Sequence, residues 1–263
     1  LRRAPGARIV AAHVRPSVDI CGCFPTGRHY PGIADRLRAS QRVVGLARGF
    51  TTDTVWVRAP LVVIDFETTG LDPEMDRVLE IGLAAFENGA LVASKNWLVN
   101  PTVPVPAESV AVHGITDEML AGAPRFADVF GEVREMLEGR IPVAYNHGFD
   151  SRFLWAEQRR AGLPTHGHDV PPACSDDGVW IDPLVWAREI QKAEKGFKLV
   201  DVAARLGVPL ETAHRAAFDA EATGRVLLAL APQMPERYGD LLRVQPRYAA
   251  TQDVENAGWR TKR

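Results

Sequence analysis

Cysteine is scarce and poorly placed for cross-linking. Cys21, Cys23 and Cys174 are odd in number and contain no CxxC pair, which argues against a disulfide framework and a zinc ribbon. Long apolar runs are also missing: none approaches the roughly 20 residues that span a bilayer, and none resembles a signal-peptide core. The expectation is a cytoplasmic protein with no membrane partner. Charge of one sign is lacking too. With 31 Lys and Arg against 33 Asp and Glu, the formal charge is −2, which argues against indiscriminate electrostatic binding of duplex nucleic acid. Lysine is rare, since 26 of the 31 basic residues are arginine, a bias we read as GC-rich coding. There is no internal repeat. What is present, 263 residues of which 46% are hydrophobic and 24% charged, suffices for one good core with appendages.

Residues 1–58 stand apart. Ten arginines from Arg2 to Arg58 face only Asp19, Asp35 and Asp53, without a clear amphipathic period, so a disordered extension is expected. Three readings of it are open. It is a basic arm that tracks phosphates, an Arg-rich transit peptide, or partly non-native sequence. The third follows from the first methionine being Met75, after Asp65 and Glu67, which places the native start upstream or at a non-AUG codon. His13, Cys21, Cys23 and His29 have a spacing that fits no standard zinc module.

From residue 59 to 231 the pattern predicts one domain. Leu61-Val-Val-Ile-Asp-Phe-Glu67 is a β-branched apolar run bounded by Pro60 and Gly70, the pattern of a central strand apolar on both faces. Residues 78–86 and 91–99, joined through Asn88-Gly89, predict a strand pair. Helices are predicted over 126–137, 151–161, 199–206 and 216–230, with strands over 141–145 and 179–182. Asp182-Pro183 combines a cap with a first-turn proline and opens a further helix. This is an α/β pattern, a mixed sheet flanked by helices. The Gly- and Pro-rich stretch 162–178 holds His166, His168, Asp169, Cys174, Asp176 and Asp177. It reads as a mobile loop beside a groove, with a small structural metal site as the other reading. The tail 232–263 has little periodicity and either packs on the domain or docks a partner.

Three acidic motifs run through this domain in fixed order: Asp65-Phe-Glu67-Thr-Thr-Gly, Asn146-His-Gly-Phe-Asp150 and His214-Arg-Ala-Ala-Phe-Asp219. Strand alternation puts Asp65 and Glu67 on one face and Phe66 on the other. Two carboxylates at the end of a buried strand repel each other and lose hydration, so a proton or a hard divalent cation must neutralise them. An aspartate at a strand end can also merely cap a turn. Asp150 stands where a helix N-cap would stand, with Phe149 stapled on Leu154, and a capping carboxylate keeps a free oxygen for a second role. His214 and Asp219 are five residues apart, about 140° around an ideal helix. His214 therefore belongs to the loop or first turn and Asp219 to the helix that Phe218, Ala222, Val226, Ala229 and Leu230 continue. Four carboxylates and a histidine suit hydrolysis of phosphodiester bonds with paired cations.

Taken together, the motifs resemble those of the DEDDh (DnaQ-like) exonucleases. His214 matches the histidine form of that family, and Val112-His113-Gly-Ile-Thr116 resembles the segment that packs near the terminal nucleotide in epsilon-like members, while also reading as a turn before a helix cap. The resemblance covers roughly residues 60–230 and implies an RNase H-like fold with a mixed five-stranded sheet. It implies two Mg²⁺ or Mn²⁺ ions as cofactors, with Asp65, Glu67, Asp150 and Asp219 as ligands and His214 as general base. Phe66, Thr68, His113 and Phe149 would line the pocket for the terminal nucleotides. The activity implied is 3′-5′ release of 5′-mononucleotides from single-stranded or frayed DNA, since Asp-Phe-Glu-Thr-Thr-Gly is more similar to the epsilon proofreading subunit of DNA polymerase III than to the oligoribonucleases. RNA processing is the alternative, a DNA polymerase subunit is the implied partner, and a binding module without chemistry is the non-enzyme reading. Inactive relatives would lack one or more of the five motif residues, and all five are present here.

Overall fold

The computed structural model describes residues 46–210 and 215–260. Four strands, β1 (Leu61–Thr68), β2 (Val78–Glu87), β3 (Ala90–Leu98) and β4 (Ile141–Val143), form one sheet in the order β3-β2-β1-β4. The hairpin β1–β2 and the hairpin β2–β3 are antiparallel, whereas β4 joins β1 in parallel. Asn88 and Gly89 both take positive φ, 52° and 76°, as a two-residue turn between twisted strands requires.

The mixed sheet is as expected, but the fifth strand is not. Among the described residues, segment 179–182 is reduced to one parallel bridge between Val143 and Ile181. The cause is local. Ile181 gives its N–H to Pro142 O and its carbonyl to the Ala144 N–H, and the next residue that would donate toward β4 is Pro183, which has no N–H and starts a helix at once.

The helices are α1 (Ala107–His113), α2 (Asp117–Leu120), α3 (Phe126–Leu137), α4 (Asp150–Arg160), α5 (Pro183–Ile190), α6 (Leu199–Leu206), α7 (Ala216–Leu230) and α8 (Tyr238–Arg260). Alternation along β1 sorts them into two layers. Val62, Ile64 and Phe66 pack with Phe130, Val133 and Leu137 of α3 and with Phe153 and Leu154 of α4. Leu61 and Val63 pack with Ala220, Val226 and Leu230 of α7 and with Tyr238 and Leu241 of α8. Each layer hides one apolar face of the sheet, the arrangement an α/β chain needs to bury both.

Two segments differ from expectation, and a third, the tail, follows one of its two readings by packing on the domain. Residues 46–58, assigned to the extension, reach the core: Trp56 is fully buried and its Nε1 donates to the Pro235 carbonyl at 2.7 Å. The tail contains α8, held against residues 52–54 by Tyr238 N–H to Thr54 O (2.8 Å) and Gly239 N–H to Thr52 O (3.0 Å). Its helical period is hard to read because buried Gln245 and Gln252 interrupt the apolar stripe and Pro246 sits inside it. The 162–178 stretch is packed, with Val170, Ala173 and Cys174 buried and Trp155 Nε1 donating to Ala173 O at 3.0 Å.

Candidate active site

The site begins on β1. Asp65 and Glu67 face the α7 layer, and Gly82 of β2 is paired with Asp65. A Cβ at Gly82 would run into the Ala216 carbonyl group, so glycine here is what lets the start of α7 lie directly on the sheet. Asp219 is in the first turn of that helix. Ligand oxygens of Asp65, Glu67 and Asp219 all lie within 4.8 Å of one another, and this is the one such His, Cys, Asp or Glu group among the described residues. The metal site considered for 162–178 therefore does not form there.

Glu80, fully buried on β2 beside Glu67, fixes where α7 starts. Its carboxylate accepts from Arg215 Nε (3.1 Å) and Nη2 (2.9 Å), from the Ala216 N–H (3.0 Å) and from Asn96 Nδ2 (2.7 Å). It thus neutralises one positive side chain and one helix N-terminus together. Sequence reasoning missed Glu80. The available signal was a lone carboxylate in an otherwise apolar strand, Val78-Leu-Glu-Ile-Gly-Leu-Ala-Ala-Phe86.

Asp150 arrives from the other layer. It is the first residue of α4, after the N-cap Phe149, which carries no capping side-chain bond. Its Oδ1 accepts the Phe66 N–H at 3.0 Å, so it is tied to the strand between Asp65 and Glu67. The approach to Asp150 is held by Asp182. That carboxylate accepts the N–H groups of Asn146 (3.0 Å), His147 (3.2 Å) and Leu184 (2.9 Å), with His147 Nδ1 at 3.1 Å. Asp182 was expected as a helix cap, which it is, but its grip on the Asp150 loop was not anticipated.

Burial and mutual repulsion push these acids upward. Asp65 is raised well above the usual carboxylate range by burial first, then by the charges of Asp150, Asp219 and Glu67. Glu67 is pushed up to about 7 by burial, Asp219 and Glu80, partly opposed by Arg215. Burial raises Asp150 as well, against the Phe66 N–H that favours its charged form. Acids held this way need protons or a cation. A donor set made only of converging carboxylate oxygens fits a hard divalent ion.

The other expected residues are placed less openly. The Phe66 side chain is 5% exposed and packs toward α3 and α4, so only its backbone faces the carboxylates, as strand alternation dictates. Thr68 donates its hydroxyl to Gly70 O at 2.6 Å and is buried. His113 ends α1, is buried, and accepts the Ile115 N–H on Nδ1 at 3.0 Å. Phe149 is half-buried and lays its ring on Phe153, 4.8 Å between centroids, where Leu154 had been the expected partner. His214 lies outside the described residues.

Three carboxylates converging from the first strand and the first turn of one docking helix, with Asp150 of a second helix on the backbone of the same strand, make a donor set of the kind that two-metal phosphodiester hydrolases of the RNase H-like class use. Residues 62–227 match the model of the RNase T family, described as Exonuclease; the chain belongs to this family of DEDDh-type, DnaQ-like exonucleases. A curated relative is DNA polymerase III PolC-type of Pediococcus pentosaceus, 33% identical over 178 residues, 68% of this chain and 12% of that protein. The chain thus spans about an eighth of such relatives. Exonuclease X in complex with 5′ overhanging duplex DNA superposes with a TM-score of 0.52 at 25% identity, over 69% of this chain and 99% of that one. The nuclease domain of 3′hExo, a DEDDh family member bound to rAMP, gives 0.57 at 17% identity, over 68% and 95%, and shares the fold. No described helix is long and apolar enough to cross a membrane.

Proposed function

We propose that the chain is a 3′-5′ exonuclease that releases 5′-mononucleotides from single-stranded or frayed DNA ends, in proofreading or repair beside a separate DNA polymerase subunit. The observation that carries the reading is the meeting of Asp65, Glu67 and Asp219 within 4.8 Å. In this reading these three hold one Mg²⁺ or Mn²⁺, and Asp65 with Asp150 serves a second. Bound cations would supply positive charge to the phosphate and to the leaving 3′ oxygen. His214 takes the proton from the attacking water. Phe149 and His113 border the terminal nucleotides, and Phe66 contributes its backbone rather than its ring. DNA is preferred because of the Asp65-Phe-Glu-Thr-Thr-Gly70 motif and the polymerase III relatives, and it is supported by a neighbour held on DNA.

The test is a gel assay on 5′-labelled single-stranded DNA and RNA of one sequence, with Mg²⁺, Mn²⁺ or EDTA, comparing wild type with Asp65→Ala. We expect a metal-dependent ladder shortening from the 3′ end, faster on DNA and lost in the variant. A faster RNA ladder would transfer the reading to RNA processing, and no ladder on either polymer would leave a binding module.

A further inference from the structure

The family match ends at residue 227, and α8 begins beyond it at Tyr238. Yet α8 sends a polar side chain, Gln245, into the interior, where it is 4% exposed. Its Oε1 accepts the Asp182 N–H at 2.9 Å and Trp186 Nε1–H at 3.0 Å, and its Nε2 donates to the Trp180 carbonyl at 2.8 Å. One carboxamide therefore holds both ends of segment 180–182 and the first turn of α5. Only a group that accepts and donates from the same planar head can satisfy all three partners, and glutamine provides it with the reach a helix surface needs.

We propose that Gln245 is a positioning residue for Asp150, acting through Asp182. The connection is an unbroken series of short bonds. Asp182 grips the Asn146 and His147 amides. Asn146 takes φ 65°, a left-handed turn conformation that asparagine adopts more readily than most non-glycine residues, and its amide is held there by Asp182. From there the loop closes by Phe149 N–H to Asn146 O and Ser151 N–H to His147 O, both 2.9 Å. This leaves Asp150 at the start of α4 with its carboxylate on the Phe66 N–H. The side chains at the two ends, Gln245, Asp182 and Asp150, are buried, whereas Asn146 is exposed and His147 half-buried, so between the ends the connection is carried by backbone amides held on a buried carboxylate. An element outside the family match thus sets the geometry of a carboxylate inside it. The inference rests on the proposed role of Asp150 in cation binding.

Gln252 supplies the control. It lies on the same helix and is also buried, but its Nε2 donates to Val185 O at 3.0 Å, inside α5 and beyond segment 180–182. The experiment compares full-length wild type, Gln245→Met and Gln252→Ala by hydrogen exchange, by Mn²⁺ calorimetry and by turnover of a single-stranded oligonucleotide. Gln245→Met is expected to speed exchange at residues 146–151 about tenfold. It should weaken Mn²⁺ and lower kcat by about tenfold each, with KM unchanged. Gln252→Ala should lower Tm with none of these changes. If Gln245→Met does not fold, Gln245→Glu, which keeps an acceptor for Asp182 and Trp186, takes its place and should loosen the loop less than tenfold while still exceeding Gln252→Ala. Unchanged exchange at 146–151, or an equal rise in Gln252→Ala, overturns the proposal. Absence of nuclease activity in wild type would remove the exonuclease reading alone, since loop exchange still tests the brace.

Discussion

The two helix-borne carboxylates of the proposed site, Asp219 and Asp150, are mounted alike and secured differently. Each lies in the first turn of a helix, and each helix start is gripped by a buried carboxylate that is not itself in the cluster. At the Asp219 end the grip is an ion pair: Glu80 meets the Arg215 guanidinium at 2.9 Å and also takes the Ala216 N–H. At the Asp150 end it is an amide cradle, Asp182 closing on three backbone N–H groups and one imidazole nitrogen. The first carries a matching charge and the second relies on dipoles. A charge partner resists loss more strongly than a cradle but responds to salt. A cradle fixes a loop because each amide it holds belongs to a different residue.

The comparison breaks outright if the carboxylates do not act as one site. Asp65→Ala, Asp150→Asn and Asp219→Asn should each lower kcat by on the order of 10²–10³, measured as initial rates at saturating metal. A single variant left near wild-type rate would detach its residue from the cluster. The next effect in size concerns the two grips. Glu80→Gln leaves Arg215 without its charge and turns an NH₂ toward other donors, a loss near the lower end of the range for buried pairs, about 3 kcal/mol, because the guanidinium is 42% exposed. Asp182→Asn keeps one acceptor and should cost about 1–2 kcal/mol. Equal costs in denaturant melts would mean that the ion pair adds nothing beyond hydrogen bonds.

Glu67 lies between the two ends, and its titration couples stability to metal. In the folded chain its carboxyl is pushed up to about 7 from an ordinary 4.5, mainly by burial. Between those values the folded state keeps a proton that the unfolded chain has released. The contribution of Glu67 to the stability of the metal-free protein is therefore full below about pH 4.5 and is lost as pH rises toward 7. Partial exposure trims the loss to about 2 kcal/mol. A bound cation removes the penalty by pairing with the ionised form. Melts in EDTA should show Tm dropping between pH 5 and 8 and Mn²⁺ restoring it more at pH 8 than at pH 5. A flat EDTA profile would contradict the burial of Glu67.

The sequence put Asp65, Glu67 and Asp219, which the structure brings together, in short local patterns: two acids alternating with Phe66 on an apolar strand and one acid at a helix start, with Asp150, tied to Phe66 N–H, at another. The sheet was legible for the same reason, as β1, β2 and the Asn88-Gly89 turn are local events. What could not be read depends on distant partners. Glu80 looks like a misplaced charge until Arg215, 135 residues later, is brought against it. Buried Gln245 looks like a break in the apolar stripe of α8 until Asp182, 63 residues earlier, is brought against it. Helix α8 hides because its buried face includes glutamines whose partners lie in other elements. The Phe66 side chain was foreseeable, since the alternation that aims Asp65 and Glu67 at α7 must aim Phe66 away.

The finest separation of the two grips removes one peripheral donor from each. Asn96→Ala takes one of four donors from Glu80, and the Arg215 pair and the Ala216 N–H remain, so the change should be below about 1 kcal/mol with activity intact. His147→Ala takes from Asp182 its side-chain donor among the described residues. The backbone amides remain, so stability should again fall by no more than about 1 kcal/mol. The loop that carries Asp150, however, loses the contact that ties a side chain to the cradle. Activity should therefore drop severalfold in His147→Ala and not in Asn96→Ala, at matched stability. That outcome would show that an ion pair tolerates the loss of an accessory donor where a cradle of dipoles does not. Parallel loss of activity in both variants would instead make the two ends of the site equivalent.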